Sequence, residues 1–146
     1  MPRRMISNIL ANHTLITTTR EVTVRAASRL MAEKRIGALL VVDGKRIAGI
    51  FTERDALNKV LATGLDPDTT TLAQVMVANP QTISADKPLA YALQMMADGG
   101  FRHVPVVDAE GLPVGMVSAR DALGADIVEL ERDLKRLEEL ENSIGY

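Results

Sequence analysis

The chain has 146 residues and contains neither cysteine nor tryptophan. Without cysteine there is no disulfide, thiolate metal site or cysteine nucleophile, and the composition suits a reducing compartment, so a cytoplasmic location is expected. Two tyrosines and two phenylalanines provide no aromatic platform for stacking successive bases. An excess of one charge is also missing. Seventeen Lys and Arg stand against nineteen Asp and Glu, a net charge of −2, which gives no general attraction to nucleic acid or anionic membrane; neither is expected as a partner. No apolar run approaches the roughly 20 residues of a membrane span. The start, Met1-Pro2-Arg3-Arg4-Met5-Ile6, is basic, but Asn8, Asn12 and His13 keep a long apolar run from forming after it, so no signal peptide is expected. The two histidines, His13 and His103, lie in unrelated settings, and no Ser-His-Asp order, phosphate-cradling loop or metal-ligand cluster accompanies them. Catalytic residues and a metal site are therefore expected to be absent.

What is present is a repeat. Residues 49–57 read Gly-Ile-Phe-Thr-Glu-Arg-Asp-Ala-Leu, and residues 115–123 read Gly-Met-Val-Ser-Ala-Arg-Asp-Ala-Leu. Gly49, Thr52, Arg54 and Asp55 recur as Gly115, Ser118, Arg120 and Asp121, each 66 residues on. Such self-similarity fixes the architecture before any local signal is weighed. A hydrophobic content of 47% with 25% charged residues suits one compact unit, and a chain of this length buries roughly two-thirds of its unfolded surface.

Both copies read in the same order. Leu15 to Thr18 is a short strand, and Val24, Ala27, Leu30 and Met31 recur at helical spacing through Lys34. Ile36 to Val42 has the pattern of a buried strand, Asp43-Gly44 marks a hairpin, Ile47 to Phe51 returns, and Thr52 opens a helix to about Leu61. In the second copy Gln81 to Ile83 is the short strand. Pro88 suits a helix start, and Leu89, Ala92, Met95 and Met96 give the apolar face. His103 to Val107 and Val114 to Val117 are the hairpin strands, and Ser118 opens the closing helix. Met31, Met95 and Met96 read as core. Leu72 to Val77 and Met5 to Ala11 are short leading helices, and Thr63 to Thr71, broken by Gly64, Asp66 and Pro67, is a joint expected to be mobile.

The expected fold is α+β: two β-α-β-β-α repeats packed with pseudo-twofold symmetry, because one small sheet alone leaves a face uncovered. The expected divisions are 1–71, 72–125 and a C-terminal amphipathic helix over 126–146. In that helix Ile127, Leu130, Leu134, Leu137 and Ile144 form a stripe that Glu141 breaks. The stripe suits either packing on the chain's own domain or pairing with a partner.

The repeated Gly-x-x-Thr/Ser-x-x-Asp falls where a strand becomes a helix. A hydroxyl residue with an acid three positions on makes a capping box, which satisfies free backbone donors. Three features point further. The acid is Asp in both copies, the glycine permits close backbone approach, and a helix N-terminus attracts phosphate. A carboxylate one turn later can accept from the two hydroxyls of a ribose.

This arrangement, together with Phe101-Arg102-His103-Val104-Pro105-Val106-Val107-Asp108, resembles a tandem pair of CBS (cystathionine β-synthase) domains over about residues 5–125. The resemblance implies a regulatory module with two clefts that take adenosine ligands: AMP, ADP, ATP, NAD or S-adenosylmethionine. It implies no catalytic cofactor, and it leaves magnesium open beside ATP. One site would use Thr52, Arg54 and Asp55, with Thr17, Ile36, Gly37 and Ala38 near the base. The other would use Ser118, Arg120 and Asp121, with Thr82, Arg102, His103, Val104 and Pro105. Arg102 and His103 stand where the first copy has Gly37 and Ala38, so the second site is expected to take the more highly charged phosphate end. His13 carries no signal.

The reading is a sensor that binds such a ligand, forms a homodimer and passes the ligand state to an unidentified protein target by population shift. The alternative is a constitutive homodimeric scaffold with degenerate sites, acting through its C-terminal helix. CBS pairs also occur inside IMP dehydrogenase, but nothing in this chain supplies that enzyme's barrel, and an enzyme is not expected.

Overall fold

The computed structural model describes residues 4–11 and 13–144; the side chains of 122, 123, 125–129 and 144 lie outside the description, and with them the expected stripe positions Ile127 and Ile144. The elements are α1 (Ile6–Leu10), β1 (Thr17–Thr18), α2 (Val24–Lys34), β2 (Ala38–Asp43), β3 (Arg46–Thr52) and α3 (Glu53–Asp55), which runs on as a π-helical segment (Ala56–Leu61). The second half has α4 (Leu72–Val75), β4 (Val77–Ala78), β5 (Ile83–Ser84), α5 (Leu89–Gly99), β6 (His103–Val107), β7 (Pro113–Ser118) and α6 (Ala119–Ile144). The two sheets run β1-β2-β3-β4 and β5-β6-β7.

Local chemistry sets these elements. Thr23 Oγ1 accepts from Ala26 N at 3.2 Å and caps α2. Pro88 takes the N-cap position of α5, just outside the helix rather than in its first turn. Both helices stop on a left-handed residue at equivalent places, Arg35 at φ 55° and Gly100 at φ 71°. In each sheet the short first strand pairs in parallel with the second, and the hairpin pairs antiparallel. The register slips at Val41/Val42 and again at Val106/Val107, so the bulge repeats with the sequence.

The two cores are not divided as the sequence order suggests. The first contains Val24, Ala27, Met31, Leu39, Val41, Phe51 and Val60, together with Leu72 and Val75 of α4. The second contains Ile83, Leu89, Ala92, Met96, Val104, Val106 and Val117, together with Ile6 of α1. Each leading helix therefore seals the core of the other half. Ile6 and Leu72 are wholly buried, a burial worth about 1.5–3 kcal/mol for each side chain.

Matching backbone latches hold the exchange. Ile6 N donates to Lys87 O at 3.0 Å, Ser7 N to Ala85 O at 3.1 Å and Leu89 N to Arg4 O at 2.8 Å. In the other half Leu72 N donates to Val22 O at 2.9 Å, Ala73 N to Arg20 O at 3.0 Å and Val24 N to Thr70 O at 2.9 Å. The joint expected to be mobile is thus pinned, with Thr70 buried and Arg25 N donating to Pro67 O at 3.0 Å.

The repeated glycines belong to this exchange. A Cβ at Gly49 would stand 2.6 Å from Met76 Sδ and 2.8 Å from the carbonyl oxygen of Val77, and one at Gly115 would stand 2.5 Å from Leu10 Cδ2. The close approach that the glycine permits is to the chain's own crossing segment. At the C-terminal end, α6 is continuous, so the expected division at 125/126 falls inside one helix. Gly124 costs that helix only about 1 kcal/mol and does not stop it.

The two glycines differ in what blocks them. Gly49→Ala meets a backbone carbonyl and is expected to lower stability by about 1–3 kcal/mol. Gly115→Ala meets only the end of a leucine and is expected to cost less. Urea unfolding of the two variants checks the order; equal midpoints would contradict this account of the glycines.

Candidate functional site

Both capping boxes form. Thr52 N and Thr52 Oγ1 donate to Asp55 Oδ2 at 3.0 and 3.1 Å, and Asp55 N donates to Thr52 Oγ1 at 3.2 Å. In the second half Ser118 N and Oγ donate to Asp121 Oδ2 at 2.8 and 3.0 Å, and Asp121 N donates to Ser118 Oγ at 3.2 Å. Each aspartate spends one oxygen on its helix start and keeps the other for something else.

The two remaining oxygens have different neighbours. Asp55, only 8% exposed, turns Oδ1 toward Lys59 Nζ at 3.1 Å, and the same ammonium donates to Val75 O at 2.9 Å. Asp121 Oδ1 lies 3.6 Å from His13 Nε2. The sequence did not signal this neighbour of Asp121. It reaches Asp121 because α1 and the residues after it cross to the second half. Lys59 stands four residues after Asp55, an offset that in sequence reads as an ordinary surface pair.

A cavity of about 880 Å³ opens beside the first box. Thr52, Glu53, Arg54 and Asp55 line it from one half, and Gly99, Gly100, Phe101, Arg102 and His103 line it from the other. Asn79, Pro80 and Gln81 close it along the chain between β4 and β5, and Ile50, Leu57 and Val77 add apolar wall. Arg54 Nη1 donates to Gly100 O at 3.3 Å, a tie between the halves. A Cβ at Gly99 would lie 2.1 Å from the Phe101 ring, so a larger residue there would displace that ring.

The expected residues are thereby regrouped. Arg102 and His103 were expected with Ser118, Arg120 and Asp121. Their backbone is there: His103 pairs with Ser118 across the sheet, and Ala119 N donates to Arg102 O at 2.9 Å. Yet both residues line the cavity with Thr52 and Asp55, which the three second-box residues do not line. Gly37, just before β2, lies against His103 at the head of β6, so the His103 side chain is presented to the cavity beside the first box. Gly37 and Ala38 sit beside Thr52 by the same backbone relation, with Glu53 N donating to Gly37 O at 3.0 Å, and do not line the cavity. Thr17 and Ile36 do not line it, Val104 is buried in the second core, Pro105 is buried on the opposite face of β6, and Thr82 lines a smaller pocket with Arg46 and Asn79.

His103 lies near the centre of this arrangement, its Cε1 3.6 Å from where a Gly37 Cβ would be. Burial pushes its imidazole below the ordinary histidine range, and Arg102 and Arg54 push the same way, while Glu53 and Asp121 oppose them. The cavity wall thus carries the guanidiniums of Arg54 and Arg102, the carboxylates of Glu53 and Asp55, and apolar Ile50, Leu57 and Val77.

The comparisons with known proteins agree with this architecture. The model of the CBS domain matches twice, at residues 6–62 and 72–127. The chain belongs to the CBS-domain family. Among curated relatives, the CBS domain-containing protein CBSCBSPB3 of Arabidopsis thaliana is 30% identical over 121 residues, covering 83% of this chain and 22% of the relative. The chain spans 22%, 20% and 17% of the first three curated relatives it matches. Among solved structures, a CBS domain protein of Pyrobaculum aerophilum complexed with AMP is 28% identical with a TM-score of 0.74, covering 80% of this chain and 88% of that one. The CBS domain pair of protein MJ0100, in complex with 5′-methylthioadenosine and S-adenosyl-L-methionine, is 26% identical with a TM-score of 0.79, covering 88% and 99%.

The histidine gives a pH test. The folded-state pKa of His103 lies below the unfolded value of about 6.5, so above that pH both states are neutral and nothing is lost. As pH falls through about 6.5, the unfolded chain takes up a proton that the fold resists, and stability drops. His103→Gln is expected to flatten the fall in melting temperature between about pH 7 and 5.5. Parallel curves for the two proteins would contradict the buried neutral imidazole.

Proposed function

We propose that this CBS pair is a regulatory sensor of an adenosine-containing ligand, bound in the cavity between its halves. The observation that carries the reading is the company of Asp55: a ribose-competent carboxylate and a hydroxyl from one half share a cavity with Arg54, Arg102 and His103. The volume is in the range of small-molecule sites. Adenine lies along Ile50, Val77, Pro80 and Phe101. One hydroxyl of the ribose diol donates to Asp55 Oδ1, whose other lone pair faces Lys59. Phosphates meet Thr52 and the two guanidiniums, whose planar forks bond paired oxygens. Two relatives of similar fold, one complexed with AMP and one with 5′-methylthioadenosine and S-adenosylmethionine, support the ligand class.

In this reading the more highly charged end belongs to the Thr52 cleft, because Arg102 and His103 line that cleft. Ser118, Arg120 and Asp121, with His13, form the second cleft and hold a less charged ligand. The sensor works by population shift. Ligand bridges Asp55 and Arg102, so it favours one relative packing of the halves to the degree that it binds that packing better. The acting unit is a homodimer, a reading that the exposed Leu61 and Tyr91, one from each half, support.

Thermal unfolding with AMP, ATP, NAD and S-adenosylmethionine tests the proposal. A ligand of the native state adds about 2.7 kcal/mol at a hundred times its dissociation constant. At least one of the four is expected to raise the melting temperature, and Asp55→Ala is expected to remove the shift. Arg102→Ala is expected to weaken ATP more than AMP. No shift with any of them, or a shift indifferent to Asp55, would contradict it.

A further inference from the structure

The C-terminal part of α6 carries a face that the described part of the chain does not cover. Leu130, Leu134, Leu137 and Leu140 are 60%, 60%, 58% and 55% exposed. All residues from Leu130 to Ser143 are exposed, so this length of helix stands clear of both cores. At about 3.6 residues per turn, the four leucines form one stripe.

The charges around the stripe are sorted. Glu131 and Glu138 border Leu130, Leu134 and Leu137 on one side, Asp133 borders them on the other and Glu141 interrupts the end, whereas Arg132, Lys135 and Glu139 fall on the far half of the helix and Arg136 lies one turn before Leu140. Among the described residues, no ion pair ties up these carboxylates. The sorting argues against a second copy as the occupant. In a parallel helix pair Asp133 of one copy flanks Glu138 of the other, and in an antiparallel pair acid again meets acid. It also argues against an anionic lipid surface, which favours lysine and arginine beside the apolar face.

We propose that residues 130–141 dock a basic amphipathic helix of another protein, one whose leucine or isoleucine stripe is flanked by lysine or arginine. Apolar contact supplies the affinity, and the acidic borders select the partner and reject self-pairing.

The full-length protein is titrated with two synthetic peptides of about three heptads, each with Ile at a and Leu at d. One has Lys at e and g, the other Glu. The Lys peptide is expected to bind saturably, about tenfold or more tighter than the Glu peptide, and to weaken as salt screens the borders. The variant E131K/D133K/E138K is expected to reverse the preference while its circular dichroism melt matches wild type. L134S/L137S is expected to bind neither peptide and to leave the self-association of the chain unchanged. Equal binding of both peptides, binding of neither, or an unreversed preference in the charge variant would overturn the proposal. So would stronger binding to phosphatidylglycerol vesicles, or loss of self-association in L134S/L137S, which would give the face to lipid or to a second copy.

Discussion

Each half of this molecule is closed by a helix that the sequence places ahead of the other half. Ile6 completes the second core, and Leu72 and Val75 complete the first. Neither sheet-and-helix unit could bury its face without the borrowed segment, so the two fold as one body rather than as beads on a linker. Much else depends on that exchange. Gly49 and Gly115 are small because Met76, Val77 and Leu10 cross over them. The short strand β4 joins the first sheet because the chain must pass Gly49 on its way out of α4. The chain between β4 and β5, carrying Asn79 to Gln81, then becomes a wall of the cavity.

The same geometry breaks the symmetry that the repeat suggests. Asp55 and Asp121 make identical capping bonds, yet one keeps a lysine on its free oxygen and the other a histidine. Arg102 and His103 have backbone beside the second box and line the cavity of the first. The two copies of one motif thus have different charged neighbours, and under the proposed function the module would respond differently to ligands that share an adenosine and differ in phosphate. The burial of His103 adds a cost to protonating it that a neighbouring phosphate would offset.

Strong local chemistry was legible in the sequence. The hairpin at Asp43-Gly44 forms with Gly44 at φ 63°, and the strands and helices lie within a few residues of where alternation and capping put them. Met31 and Met96 are core, as their helical spacing requires, and Met95 packs against it. What the sequence could not show was partnership at long range. A 66-residue repeat is silent on which half a leading helix seals. It is equally silent on which cleft receives a side chain at the head of a strand, so Arg102 and His103 were grouped with their nearest backbone neighbours. His13 had no local signal because its relation to Asp121 exists only after the crossing. The division expected at 125/126 falls inside one helix of 26 residues, which runs through Gly124 because a single glycine is a small cost to it.

The central claim is that the ligand cleft is shared, with Thr52 and Asp55 given by one half and Arg102 and His103 by the other. Backbone amide chemical shifts measured during an AMP titration test it most directly. The account predicts that Thr52, Glu53 and Asp55 shift together with Gly100 to His103, at one common saturation. Shifts confined to a single repeat, with Arg102 and His103 moving alongside Ser118 and Asp121 and Thr52 unmoved, would contradict it.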